Sequence, residues 1–190
     1  MMPKRKIEKG TFGYLNNQKK RMIIRTISLF AISLAIFIMG YLTTKTKANL
    51  LTIVAMLGML PASKSAVEMI LFLRQQSGSD EIYQKIEAHA TDLAIAYELV
   101  LTSYDKNFPI SAIVVKANTV CGYSEQENCD IAAAEKHIAA ILKQNALKPT
   151  VKIFKEIEKF TNRMDALKDL ESENSEKDMD ILEVIKAISI

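Results

Sequence analysis

Residues 26–44 read TISLFAISLAIFIMGYLTT, nineteen positions without a charge. At 1.5 Å per residue such a helix covers about 26–28 Å, the thickness of a bilayer's hydrocarbon layer. The stretch predicts a membrane-spanning helix over about 26–43. A cleaved leader is the competing reading, with a basic start, an apolar middle and a small residue near Gly40. Against it, the apolar run is too long, no A-x-A motif follows, and a second apolar stretch begins at once.

That second stretch, residues 48–73, reads ANLLTIVAMLGMLPASKSAVEMILFL. One reading ends the span near Ser63 and lays the rest along the surface. The preferred reading is one helix about 39 Å long. Pro61 lacks a backbone donor and is expected to kink it. Lys64 then lies about 24 Å from the outer end, where its stem reaches the inner interface. Glu68, four residues on, is placed to pair with it. Arg25 and Arg74 close the two spans at the same level, so Arg25, Lys64, Glu68 and Arg74 form a predicted set of interface anchors. The connection over 43–47 is short, which makes residues 26–73 a transmembrane hairpin. Met39, Met56, Met59 and Met69 read as lipid-facing or helix-packing groups.

The mean hydropathy of +0.07 coexists with 25% charged residues, so charge and grease must be segregated along the chain. Before Thr26 stand Lys4, Arg5, Lys6, Lys9, Lys19, Lys20, Arg21 and Arg25 against one acid, Glu8; from Gln75 onward 13 bases face 20 acids, a balance of −7. The positive-inside tendency puts residues 1–25, a basic arm, in the cytoplasm, and two spans return the C-terminus to the same side. The expected location is the cell membrane, multi-pass, with both termini cytoplasmic. The arm should attract anionic lipid headgroups by roughly 1 kcal/mol per nearby base, with Phe12 and Tyr14 dipping into the interface. The acidic remainder argues against nucleic acid as a partner.

Residues 79–170 read as a small α+β domain. Ser79 caps a helix over about 80–91. Ile95, Tyr97, Leu99 and Leu101 alternate as in a half-buried strand over 93–103, which leaves Glu98 on an exposed face. A turn over 104–109 leads to a strand over 110–120. Residues 121–129 are polar and contain Gly122, so they read as a loop. Asp130 caps a helix to about Asn145, followed by a strand over 150–156 and a helix to about Leu170. The order is α-β-β-α-β-α, a small mixed sheet with helices on at least one face. Residues 171–190 read as an acidic tail, mobile over 171–180, with a short closing helix over 181–188.

Chemistry is sparse. Cys121 and Cys129 are open to three readings: incidental thiols, a disulfide, or a zinc site with His89 and His137, whose spacing matches no common ligand pattern. His137 itself reads as a surface group. Lys116 on the second strand partly resembles the lysine of restriction-endonuclease-type nucleases. The acid expected two positions earlier is replaced by Val114, and nothing gathers Asp105 and Glu87 beside it. No phosphate loop, nucleophile elbow or HExxH occurs. No cofactor is expected. The loop bearing Cys121, Gly122, Tyr123 and Cys129 is the predicted contact surface, since loops carry recognition.

LPASKSAVEMILFL at 60–73, NTVCGYS at 118–124 and the stretch around PTVKIFKEI resemble small two-helix membrane proteins of Gram-positive anaerobes. The resemblance implies the hairpin architecture and a cytoplasmic-membrane location, with no catalytic residues. The leading expectation is a membrane-anchored interaction or scaffold protein with an unidentified protein partner. The alternatives are a membrane-tethered enzyme with a degenerate nuclease-like domain and an accessory subunit of a transporter.

Overall fold

A computed structural model describes residues 8–46, 48–103, 106–170 and 175–190. The described residues divide into two compact units, one within 15–75 and a second made of residues 8–14 with those of 76–190.

The first unit is two helices, α1 (Tyr14–Thr44) and α2 (Leu50–Arg74), each long and apolar enough to cross a membrane. The second is continuous through Pro61, as the preferred reading requires. Among the described residues, 22 large hydrophobics are exposed, nine on α1 and eleven on α2, an apolar surface of the kind that marks a membrane or partner contact. The helices meet through small residues. Thr26, Ser33 and Gly40, seven apart, are the buried positions in the middle of α1. Thr26 Oγ1 lies 2.9 Å from Ser65 Oγ and donates to the Ser65 carbonyl at 3.1 Å. A Cβ on Gly58 would stand 2.7 Å from Ser33 Oγ, so only glycine allows this approach. A small-residue seam with interhelical hydroxyl bonds is how helices associate where the hydrophobic effect is absent. Asn49 caps α2, accepting from the Thr52 amide at 2.8 Å, and its Nδ2 donates to Thr44 Oγ1 at 2.8 Å, which tightens the turn.

The second unit holds a four-stranded sheet in the order β1 (Ala94–Thr102), β2 (Asn107–Lys116), β3 (Thr119–Tyr123), β4 (Thr150–Phe154). The first three strands are antiparallel and β3 pairs parallel with β4. Helices α4 (Ile131–Gln144) and α6 (Ser175–Ala187) cover one face, over Leu99, Leu101, Ile110 and Ile113; α3 (Asp80–Glu87) and α5 (Ile157–Lys168) cover the other, over Tyr97, Val114 and Cys121. Both faces are therefore buried, a three-layer arrangement.

Four expectations are corrected. Residues 119–123 form a strand where a loop is expected, so the parallel β-α-β unit is β3-α4-β4. The turn before it, Ala117–Asn118, has φ of 48° and 55°, the type I′ geometry of a two-residue hairpin. It carries no Asn-Gly signal; instead the Asp178 carboxylate accepts both turn amides, at 3.0 and 3.2 Å. That contact bears on the second expectation, which is corrected only in extent: the closing helix is present, but as α6 it starts at Ser175 rather than 181 and buries Ile181, Leu182 and Ile185 in the core. The rest of the acidic tail, 171–174, lies outside the described residues.

The third correction is the basic arm. Residues 14–25 are already helical in α1, and Gly10 and Phe12 belong to the folded domain. Lys4, Arg5, Lys6 and Lys47 lie outside the described residues. The fourth concerns β1. Ala96 faces α4 and α6, Tyr97 faces α3 and α5, and Leu99 again faces α4 and α6. Alternation slips at Glu98, whose φ is 52°, and slips opposite it at Ser111 between Ile110 and Ala112. Glu98 is consequently 2% exposed rather than on a solvated face. Helix α3 ends four residues before the expected Thr91.

Candidate functional site

The predicted anchors are all on the helical pair, in a different pairing. Glu68 reaches across to Arg25 at 3.7 Å rather than along its own helix to Lys64, which is exposed. Arg74 stands in the last turn of α2, where a cation complements the helix dipole.

The predicted contact loop does not exist as such. Cys121, Gly122 and Tyr123 lie on β3 between β2 and β4, and Cys121 and Tyr123 are 0% and 4% exposed. Cys129 is buried at 5%, packed on the α4/α6 face, whereas Cys121 packs on the α3/α5 face. The sheet separates the two thiols, and both are free. Burial raises the Cys121 pKa, and Arg163 beside it partly opposes that shift. The histidines are separated likewise. His89 Nδ1 sits 2.8 Å from Asp165 on α5, while His137 on α4 lies against Phe108 with its Nε2 buried and unpartnered. His137 is thus half-buried rather than a surface group. Among the described residues no group of three metal-type side chains converges.

The nuclease-like residues are dispersed. Glu87 accepts from Tyr97 Oη at 2.5 Å, and burial with this carboxylate pushes the Tyr97 phenol well above its usual pKa. Lys116 donates instead to the Lys168 carbonyl at 2.9 Å. Tyr97 pairs with Ala112, four residues before Lys116, about 13 Å along the strand. Asp105 lies outside the described residues.

What the structure does bring together is the outer edge of β1. The Tyr97 amide donates to the Gly10 carbonyl at 2.8 Å. Gly10 has φ of 89°, and a Cβ there would come within 3.2 Å of Ala96 Cβ, so the leader fits against the strand only as glycine. Phe12 stacks on Tyr83 at 4.1 Å, and Tyr83 meets Tyr97 edge-on at 5.0 Å. Ser77, in the segment that leaves α2, donates to Glu98 Oε1. Two residues on, the Ser79 amide donates to Glu125 Oε2 at 3.2 Å, while the Glu125 amide donates to Ser111 Oγ at 3.2 Å. Ile190 N donates to the Val100 carbonyl at 3.0 Å, Ser189 pairs with Leu101, and Lys9 Nζ donates to the Ser189 carbonyl.

Residues 97–101 therefore hold the leader into α1, the segment out of α2 and the C-terminus side by side. An unpaired strand edge invites association, and here the chain's own ends cover it. The arrangement is a clamp that holds three segments against one strand edge. Sequence reading missed it, although an acid inside an apolar alternation and a Phe in the basic arm were its traces. No family model matches the chain, and neither a curated protein nor a solved structure is similar to it.

Proposed function

We propose that the chain is a two-span protein of the cytoplasmic membrane, with both termini in the cytoplasm, whose α/β domain is a non-enzymatic module that holds a protein partner at the membrane face. Membership among the small two-helix proteins of Gram-positive anaerobes is part of this proposal. The supporting observation is the clamp: residues 8–13 and 76–190 form one unit, so the segment before α1 and the segment after α2 end in the same body. A hairpin that crosses twice returns its ends to one side. A domain joined to the hairpin at both ends stays on that side, where a partner can be met. The eight bases before residue 26 favour the cytoplasm as that side. Glu127 and Asn128, exposed between β3 and α4, offer a polar contact surface.

The test begins with topology. Native thiols cannot report it, because both are buried. An Asn128→Cys variant in intact cells is expected to resist a membrane-impermeant maleimide and to react once the cells are opened; labelling before that would reverse the orientation. A photocrosslinker at the same position should yield one defined protein adduct, lost with Glu127→Lys while membrane content stays unchanged. Absence of any adduct would remove the interaction reading.

A further inference from the structure

We infer that one side of the helical hairpin is a binding groove for a single anionic phospholipid. Ile23, Ile27, Phe30 and Leu34 on α1 and Met69 and Leu73 on α2 line an open apolar hollow of about 640 Å³, with Ala31 leaving room in its wall. That volume lies within the range of about 300–1,000 Å³ typical of small-ligand sites. Its cause is the seam: small residues draw the two backbones together at Thr26–Ser65 and Ser33–Gly58, and the large side chains beside them splay apart.

The groove's position selects the occupant. From Ile23 to Leu34 it runs about 16 Å, half of a hydrocarbon layer about 30 Å thick. Residues 26–44 are the uncharged run, so Leu34 stands next to its midpoint at residue 35 and Ile23 stands at the charged border. The groove therefore spans one leaflet and stops, as an acyl chain does.

Charge completes the site. Lys19 and Lys20 precede Ile23 by four and three residues, so they lie one turn beyond the groove mouth on the groove's own face. Helical side chains lean toward the N-terminus, which carries both ammonium groups outward to headgroup level. Arg25 is engaged with Glu68. The ligand is thus a membrane phospholipid with one chain in the groove and a net-negative headgroup on the lysine pair.

The inference rests on the membrane reading, and the test separates the two. The purified full chain in detergent is titrated with phosphatidylglycerol and with phosphatidylcholine of identical chains, and bound lipid is counted by native mass spectrometry. One saturable lipid is expected, with phosphatidylglycerol retained preferentially. Two lysines at roughly 1 kcal/mol each correspond to about 30-fold, so Lys19→Gln/Lys20→Gln should weaken phosphatidylglycerol by that factor, to the level of phosphatidylcholine. Ala31→Phe, which fills the groove, should remove both lipids, and Lys45→Gln at the far end should change neither. Unsaturable uptake, equal retention of the two lipids by the native chain, or an unaltered lysine variant would overturn the site. Release of the chain from vesicles by alkaline carbonate would instead sink the membrane reading.

Discussion

Removing the Ser77 hydroxyl or the Glu98 carboxylate should open the clamp on the side of the segment leaving α2, and the coupling between them measures how firmly it is held. Glu98 is 2% exposed with φ of 52°, a backbone conformation costing a side-chain-bearing residue about 1–2 kcal/mol. Such a conformation persists only where its surroundings impose it. Ser77 donates to Oε1, and a hydrogen bond to a carboxylate is worth about 1.5–3 kcal/mol. Ser77→Ala should therefore cost about 2 kcal/mol, and Glu98→Ala, which removes the acceptor, at least as much. The double variant should cost little more than Glu98→Ala alone, giving a coupling near 1.5 kcal/mol. Ser79→Ala is the control. Its hydroxyl accepts from the Ile82 amide at the start of α3, and its effect should add to that of Glu98→Ala without coupling. The assay is denaturant unfolding of the full chain in detergent, followed by tyrosine emission because the chain has no tryptophan. Simple additivity of Ser77→Ala and Glu98→Ala, within about 0.5 kcal/mol, would mean the bond contributes nothing and the clamp argument fails on that side.

Ala117→Gly should stabilise the domain by roughly 0.5–1 kcal/mol, since relief of a left-handed alanine exceeds glycine's entropic cost; an unchanged or lowered midpoint would refute the strained turn. Gly58→Val should lower the thermal stability of the helical pair by about 1–3 kcal/mol through the clash with Ser33, and Ser33→Gly should recover part of it; a silent Gly58→Val would mean the helices do not touch there. Two carboxyls, Asp130 held below its usual range chiefly by Lys106 and Asp165 held below it chiefly by His89 and then Lys168, make the domain acid-sensitive. Depressed folded values stabilise fully above the ordinary carboxyl pKa of about 3.9, and the contribution fades as pH falls through the folded values. Melting temperatures between pH 5 and 2.5 should fall less steeply in Asp165→Asn, and a slope identical to the native one would dismiss that ion pair.

Reading the chain alone was most reliable where one segment carries its own reason. The two long apolar stretches form helices, as their length and composition predict, because a helix satisfies its backbone internally. Ser79 and Asp130 cap the helices that follow them through bonds three residues away. Val114 and Val115 sit in β2, as their β-branched character predicts. The regularity that misled was alternation. Ile95, Tyr97, Leu99 and Leu101 look like one buried face, yet the two outer residues of that set point to opposite sides of the sheet.

Tertiary structure decided everything that depends on residues far apart in the chain. Asp178 braces a turn sixty positions earlier by accepting both amides of Ala117–Asn118. Burial of Cys121 and Tyr123 follows from β4 pairing beside β3, which no local pattern announces. Gly10, Ser77 and Ile190 meet on β1 only once the sheet, the hairpin's two ends and α6 are in place. Local hydrogen bonding and hydrophobic length are properties of a segment and can be read from it. A clamp, a sheet edge or a groove exists only between segments, and its energy comes from groups that the folded chain alone brings within reach of one another.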